Sequence, residues 1–393
     1  MKKLLCTVLS TVLAMSSTAA LNTSAYADSA NTQQVSYNYW YNSSTGYTDE
    51  NVHTRQMEKL DRGLIAIKTD GGVYLSWRLF DSEDNIFGSA DKNVSFNVYR
   101  DGKKISEVAT KTNYVDSTVG TNYSVAPVIN GVEGEKCNAV TVYNNSYFDI
   151  PLLKPDDETI YDPSGNELAT YSFSPADCST GDVDGDGEYE IIVKWTSSEH
   201  DVGSPGDPAY SGTVHLAAYK LDGTKLWKND IALGKNVYSS AHTVQFLVYD
   251  FDGDGKSEVM CQTSLGSKDG QGKYVSNAAQ TDEEIKAITD EENSTADYRG
   301  YGRITKGKEF LTVFNGETGV AMDTINLPTT RGSENGVDYG DDFGNRSNRF
   351  VSDIAYLDGE KPYAIYLRGY YFGRNGKQRT SIAGISWDGT ALS

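Results

Sequence analysis

Two acidic segments of the same form, starting 68 residues apart, constrain this chain more than any other feature of it. Asp182-Val183-Asp184-Gly185-Asp186-Gly187-Glu188-Tyr189-Glu190 runs into Ile191-Ile192-Val193. Asp250-Phe251-Asp252-Gly253-Asp254-Gly255-Lys256-Ser257-Glu258 runs into Val259-Met260-Cys261. A weaker third copy, Tyr356-Leu357-Asp358-Gly359-Glu360, precedes Tyr363-Ala364-Ile365-Tyr366. Behind each copy an Asp-Gly or Asn-Gly pair sits between apolar runs, at Asp222-Gly223, Asn315-Gly316 and Asp388-Gly389. That pair is a strong short-range hairpin signal. The repeating unit is thus a loop, an inner strand and an outer hairpin, which is the form of one propeller blade. Three units are visible over 146–393, and the last ends at Thr390-Ala391-Leu392-Ser393 inside its hairpin. A propeller closes with about four to eight blades. The expectation is therefore an incomplete β-propeller, and a sequence that is a fragment of a longer protein.

The acidic segments read as metal loops. Alternate carboxylates supply hard oxygen ligands, and glycines permit the tight turn that aims them at one centre. The first set is Asp182, Asp184 and Asp186, with a backbone carbonyl from Glu188; the second is Asp250, Asp252 and Asp254, with one from Lys256. An EF-hand would need a bidentate Glu at position twelve, where this chain has Val193 and Cys261. Glu190 and Glu258, at position nine, are the carboxylates that complete each shell. Three aspartates at this spacing, twice, each before a strand, favour bound Ca2+ over a solvated Asp-Gly turn. Loops between blades point to a structural rather than a catalytic ion.

The front of the chain differs. Lys2 and Lys3, the apolar run Leu4–Ala14 and Ala25-Tyr26-Ala27 have the form of a secretory signal over 1–27, which predicts a secreted protein. Residues 28–54 read as a linker or an appended edge strand. Over 55–145, Leu64–Ile67, Val73–Trp77, Val94–Tyr99 and Tyr123–Val125 alternate with turn signals at Asp70-Gly71-Gly72, Asp101-Gly102 and Asn130-Gly131. This predicts a small fibronectin type III-like β-sandwich with Trp77 in its core. The fold class is all-β, and residues 277–300 read as a polar insertion on a loop with room for a short helix. Three cysteines remain after the signal, enough for one internal disulfide at most. A net charge of −20 argues against nucleic acid, whose phosphates need basic partners. No later stretch is apolar enough to span a membrane, and the expected state is a monomer. An acidic polysaccharide would meet long-range repulsion, so binding one requires local cations, either metal or placed Arg and Lys. No nucleotide-binding loop or nucleophile elbow is present.

Further segments, in one order, carry a family resemblance. They include Arg55–Leu64, Gly181–Trp195, Leu221–Trp227, Tyr249–Glu258, Ala296-Asp297-Tyr298-Arg299, Leu311–Phe314, Gly344-Asn345-Arg346, Ala355–Gly359 and Arg368–Tyr371. In these the chain resembles the bacterial rhamnogalacturonan lyases, polysaccharide lyase family eleven. The resemblance implies an eight-bladed propeller behind a fibronectin-like domain, several calcium ions, and pectic rhamnogalacturonan cleaved at the galacturonate–rhamnose bond by β-elimination. It differs from the family in two places. Thr196 stands where similar lyases have Asp after Lys-Trp, and Ala176 where they tend to have Asn. Candidate substrate-binding residues are Thr196, His242, Arg346 and Arg368, with Arg349 nearby; His242 matches a family histidine, and the arginines could meet uronate carboxylates or pair with acids on neighbouring loops. His200 and His215 lack metal-ligand spacing. No catalytic base is assigned. The rival reading is a non-catalytic calcium-stabilised propeller that binds carbohydrate or a surface partner.

Overall fold

The computed structural model describes residues 34–38, 41–42, 47–48, 52–80, 83, 93–109, 111–161, 164–197, 212–239, 243–277, 281–295, 307–332, 338–341, 344–371 and 379–393. The signal segment, His200 and His242 lie outside these residues. The chain divides into two compact units, Met1–Asp149 and Ile150–Ser393.

In the first unit, part of the stretch read as a linker is already strand. β1 (Gln34–Asn38) pairs with β4 (Val52–Gln56), and β2 (Tyr41–Asn42) with β3 (Tyr47–Thr48). Two further sheets follow. The three-stranded one has the order β5 (Ile65–Thr69), β6 (Gly72–Ser76), β9 (Asn113–Asp116). The other is built from β7 (Val94–Arg100), β8 (Lys103–Val108), β10 (Asn122–Ile129), β11 (Val132–Glu133) and β12 (Val140–Thr141). Inward residues of both sheets share one core. Ala66, Val73, Leu75 and Trp77 meet Phe96, Val98, Tyr123 and Val125, and the Trp77 and Phe96 rings pack edge to face at 5.5 Å. The hairpin signals act as the sequence indicates. Asp101 and Asn130 both take positive φ ahead of Gly102 and Gly131, the geometry that turns β7 into β8 and β10 into β11 in two residues.

The second unit opens with a hairpin, β13 (Glu158–Tyr161) and β14 (Glu167–Tyr171). Three antiparallel meanders follow in sequence order. The first is β15 (Phe173–Gly181), β16 (Glu190–Ser197), β17 (His215–Tyr219) and β18 (Ile231–Ala232). The second is β19 (Phe246–Tyr249), β20 (Glu258–Ser264), β21 (Glu309–Phe314) and β22 (Ala321–Asn326). The third is β23 (Phe350–Ala355), β24 (Tyr363–Arg368) and β25 (Ser381–Ile385). Between β20 and β21 the polar insertion carries helix α1 (Asp282–Thr295). Its start is reciprocally capped, Thr281 Oγ1 accepting from the Glu284 amide and Glu284 accepting from the Thr281 amide.

The meanders stack face to face, and the strand period of two explains their composition. On β20, Val259 and Cys261 join the core shared with Ile192, Leu216 and Ala218 of the first meander. Met260, pointing the other way, joins Leu311, Val313, Tyr366, Ile385 and Trp387 in the core shared with the third. A strand buried on both faces has no polar side to show, so every residue of β20 is buried. Polar ties span the same seams. The Ser257 amide donates to Asp182 O at 2.7 Å, the Trp227 indole N–H to Gly316 O at 2.7 Å, and the Tyr366 hydroxyl to Met260 O at 2.7 Å. The seams leave no spare room: a Cβ on Gly316 would lie 2.0 Å from Ser257 O.

Candidate metal centre

Each acidic loop joins the first strand of a meander to the second, and its fold follows from its own side chains. Asp carboxylate and Asn carboxamide oxygens readily accept from backbone amides just ahead of them. Asp182 accepts from the amides of Gly185 and Gly187 at 2.7 and 2.9 Å; Asp250 accepts from those of Gly253 and Gly255 at the same two distances. Glu190 accepts from the Val183 amide at 3.0 Å, and Glu258 from the Phe251 amide at 2.9 Å. Asp184 and Asp252 each accept from an amide two residues on, at 3.2 Å. Asp186 and Asp254 do the same, from the Glu188 and Lys256 amides at 2.9 and 2.8 Å. Gly185, Gly187, Gly253 and Gly255 all sit at positive φ, which closes the turn without strain.

The result is two convergent sets of oxygens. Asp182, Asp184 and Glu190 each offer an atom within 4.8 Å of the others, and so do Asp250, Asp252 and Asp254. Both sets can hold a metal ion, and oxygen-only donors suit a hard one. The electrostatics agree. Burial, with the neighbouring aspartates adding to it, pushes Glu258 up to about 9 and Asp250 up to about 6. Burial likewise raises Asp182 and Asp252, and brings Glu190 to about 7. The more strongly raised pair, Glu258 and Asp250, would be favoured as carboxylates by the charge of a divalent cation.

In the first loop an internal cation already stands near this place. Lys220, just past β17, brings its ammonium to 2.7 Å from Asp184 Oδ2, 2.8 Å from Asp186 Oδ2 and 3.7 Å from Glu190 Oε1. Hydrogen bonds to Asp184 and Asp186 raise the Lys220 pKa, and Lys220 in turn lowers that of Asp186. Sequence reading missed Lys220, which lies 34 residues from Asp186 in the chain. Its signal was the position directly after the strand that pairs with the loop's own exit strand. The third copy is simpler. Asp358 accepts from the Glu360 and Lys361 amides at 2.8 Å and from the Tyr363 hydroxyl at 3.1 Å, as a turn.

The candidate substrate residues are dispersed. Thr196 is buried on β16 opposite Ser174. Next to it the pairing slips: Pro175 faces Trp195 and Asp177 faces Lys194, leaving Ala176 as the extra residue of a bulge. Lys194 is fully buried, donates to Val244 O at 2.9 Å, and lies 3.7 Å from Asp177; burial lowers its pKa. Arg346 lies 3.9 Å from Asp341, whose carboxylate also accepts the Arg346 amide at 2.7 Å. Arg349 donates to Asn345 at 3.3 Å and faces the Tyr371 ring at 5.8 Å. Arg368 is fully buried. Its guanidinium grips both oxygens of Glu309, at 2.7 and 2.9 Å, and donates to Thr329 O and Ser347 O. Arg331 joins Glu309 from the other side at 2.9 Å. Burial alone would raise Glu309, and Arg331 and Arg368 outweigh it, holding the carboxyl below its usual range. His215 packs edge to face on Phe173 and lines a cavity of about 1010 Å³ with Lys225, Lys228, Lys235 and Lys268. Burial lowers the His215 pKa, so the ring is neutral near pH 7. Cys137, Cys178 and Cys261 are free.

Comparison with known proteins gives these features a context. Residues 147–393 match the model of the rhamnogalacturonan lyase family 11 C-terminal domain, and residues 55–143 that of the rhamnogalacturonan I lyase beta-sheet domain. The chain is 46 % identical over 321 residues to the rhamnogalacturonan endolyase YesW of Bacillus subtilis, covering 81 % of this chain and 46 % of that protein. To the exolyase YesX of the same organism it is 42 % identical over 323 residues, covering 81 % and 47 %. Among solved structures, YesW superposes with a TM-score of 0.68 at 44 % identity, over 86 % of this chain and 52 % of that one. The family 11 lyase of Bacillus licheniformis gives 0.67 at 44 % identity, over the same shares. The chain thus spans about half the length of the curated relatives it matches, and in both its units it belongs to rhamnogalacturonan lyase family 11.

Proposed function

We propose that this chain forms part of a secreted, calcium-dependent lyase that cleaves the galacturonate–rhamnose backbone of rhamnogalacturonan by β-elimination. The observation that supports it best is identity above 40 % to two rhamnogalacturonan lyases across most of the chain. In this reading the three meanders are the first blades of a β-propeller. The strands that the sequence marks as inner, β16, β20 and β24, each have a further strand ahead of the loop, β15, β19 and β23, and these take the inner place. The first unit is the fibronectin-like domain in front of them. Later blades, carried by the length that the relatives have in addition, supply the general base.

Elimination removes the proton at C5 of the uronate, forms the C4–C5 double bond and breaks the bond from C4 to the departing oxygen. The C5 proton becomes acidic only when the adjacent carboxylate is neutralised. Calcium, when bound, supplies that neutralising charge or, in the two loops, holds the blades together. The residues of this chain contribute rigidity and position. The first loop ties the first two meanders together through Asp182 and Ser257, and the second reaches the third meander, where Asp252 lies beside Gly389. Lys194, Thr196 and the Ala176 bulge shape the end of β16 where the family carries a carboxylate. Arg346 is the candidate to meet a sugar carboxylate if Asp341 releases it; His242, outside the described residues, is a candidate through its match to the family alone. Arg368 is committed to Glu309, so its part is to support the fold beneath such a site.

The replacement of the family Asp by Thr196 gives the rival reading its footing: a calcium-stabilised propeller that binds carbohydrate without cutting it. The test separates the two. Incubated with rhamnogalacturonan and calcium, the complete gene product is expected to release unsaturated uronate, seen by its ultraviolet absorbance, whereas residues 28–393 alone release none. Thr196→Asp is expected to tighten substrate or calcium binding in the complete protein. Binding of the polymer without unsaturated product, unmoved by Thr196→Asp, would leave the binding module as the function and the family kinship as ancestry.

A further inference from the structure

The two acidic loops match hydrogen bond for hydrogen bond, yet only one of them contains a cation. Strand register identifies the difference. Ile191 faces Tyr219 as Val259 faces Phe314, so the residue equivalent to Lys220 in the second repeat is Asn315. Asn315 is occupied locally, accepting from the Thr318 amide at 2.9 Å and its hydroxyl at 2.7 Å. The lysine of the second loop points away as well: Lys256 pairs with Glu317 at 2.6 Å. Among the described residues, no Lys or Arg forms an ion pair with Asp250, Asp252, Asp254 or Glu258.

We propose that Lys220 is a built-in competitor for metal: it occupies the first loop, so that divalent cation fills the second loop first and enters the first only by displacing the ammonium. The inference rests on the reading of both loops as calcium sites. Two of the three convergent carboxylates, Asp184 and Glu190, lie 2.7 and 3.7 Å from the Lys220 ammonium, and Asp186, a ligand by the loop's spacing, lies 2.8 Å from it. A metal ion and the ammonium cannot share these oxygens at ligand distance without like-charge repulsion. The lysine can leave, because its head is one-third exposed and its stem is flexible. The ion pairs it gives up are partly exposed and so individually modest, and the first loop should bind about tenfold more weakly than the second. The metal-free protein gains from the same arrangement, since the first loop keeps a counter-charge when calcium is scarce and the second does not. The seam between the first two meanders would therefore keep a counter-charge without calcium, while the second loop, whose Asp252 lies beside Gly389 past the last strand of the third meander, responds to it.

Calorimetric titration of calcium into metal-free protein, with melting followed in parallel, tests this directly. Two steps of unequal affinity are expected. Asp252→Asn should abolish the tighter step and Asp184→Asn the weaker one. Lys220→Met should strengthen the weaker step about tenfold, towards the affinity of the other loop. It should also lower the melting temperature of metal-free protein while enlarging the rise that calcium produces. Lys220→Arg, which keeps the cation, should preserve the unequal steps. The proposal is overturned if Lys220→Met leaves both affinities unchanged, or if Asp184→Asn removes the tighter step. If wild type and Lys220→Met both show no calcium step, the metal reading itself fails and takes this proposal with it; two equal steps in wild type would overturn the competitor alone.

Discussion

Replacing Glu309 by alanine is expected to cost about 3–5 kcal/mol of stability, measured as a shift in the midpoint of chemical denaturation. The carboxylate is nearly fully buried and is shared by Arg368 and Arg331. Its removal leaves two buried guanidinium groups without their shared carboxylate. Neither can reach water without parting the seam between the second and third meanders, where Arg368 also lies against the Phe350 ring at 4.9 Å. Arg368→Met is expected to cost less than Glu309→Ala, because it leaves Glu309 paired with Arg331. A loss below about 1 kcal/mol for Glu309→Ala would mean that the pairs contribute no more than surface ion pairs do.

The second large effect couples pH to metal. Without metal, Glu258 is pushed up to about 9 and Asp250 to about 6, chiefly by burial. An unfolded Glu or Asp titrates near 4. The native state therefore holds protons that the unfolded chain has already released. Stability from these groups is fully present below about pH 4 and is lost as pH rises through 6 and on towards 9. For Glu258 alone the loss across that window is of the order of several kcal/mol. Calcium replaces those protons, so its stabilising effect should grow with pH and depend on its concentration. Melting temperatures recorded with chelator should fall between pH 5 and 9, while those in excess calcium should stay nearly level. Asp252→Ala should remove most of that difference. Equal melting temperatures with chelator and with calcium at pH 8 would sink the metal reading of the second loop.

Much of this architecture was legible because its determinants are local. The Asp-x-Asp-Gly-Asp-Gly loops fold on hydrogen bonds that span at most seven residues, so the spacing of the letters already contains the shape. Asp101-Gly102 and Asn130-Gly131 announced their hairpins for the same reason. Trp77 was placed in the sandwich core from its strand alone, and it is there. What escaped the sequence is what distant strands bring together. Lys220 meets Asp184 only once β17 has paired with β16. Glu309 and Arg368 belong to different meanders 59 residues apart, and nothing near Arg368 in sequence marks its partner. Two readings were open for this arginine, a uronate or an acidic side chain; its place beside Glu309 follows from a packed seam that no local pattern encodes. For residues 28–54 the sequence left linker and edge strand both open, because a composition of Asn, Ser, Thr and Tyr shows no alternation; paired strands are present there. The Ala176 bulge likewise depends on how β15 registers against β16, a property of two segments rather than one.

The Trp227 indole, buried against the turn that begins the outer hairpin of the next meander, has an optical consequence. Its N–H donates to Gly316 O, and the Gly319 position approaches the ring so closely that a Cβ there would lie 3.0 Å from it. Any event that parts the first two meanders moves this chromophore from a dry, hydrogen-bonded slot into water, while Trp77 in the other unit keeps its surroundings. Emission from a protein retaining Trp227 alone would thus shift to the red on the opening of one seam, before the chain as a whole unfolds. The molecule carries its own gauge for the interface that the first acidic loop spans, and the colour of one side chain reports whether that interface is shut.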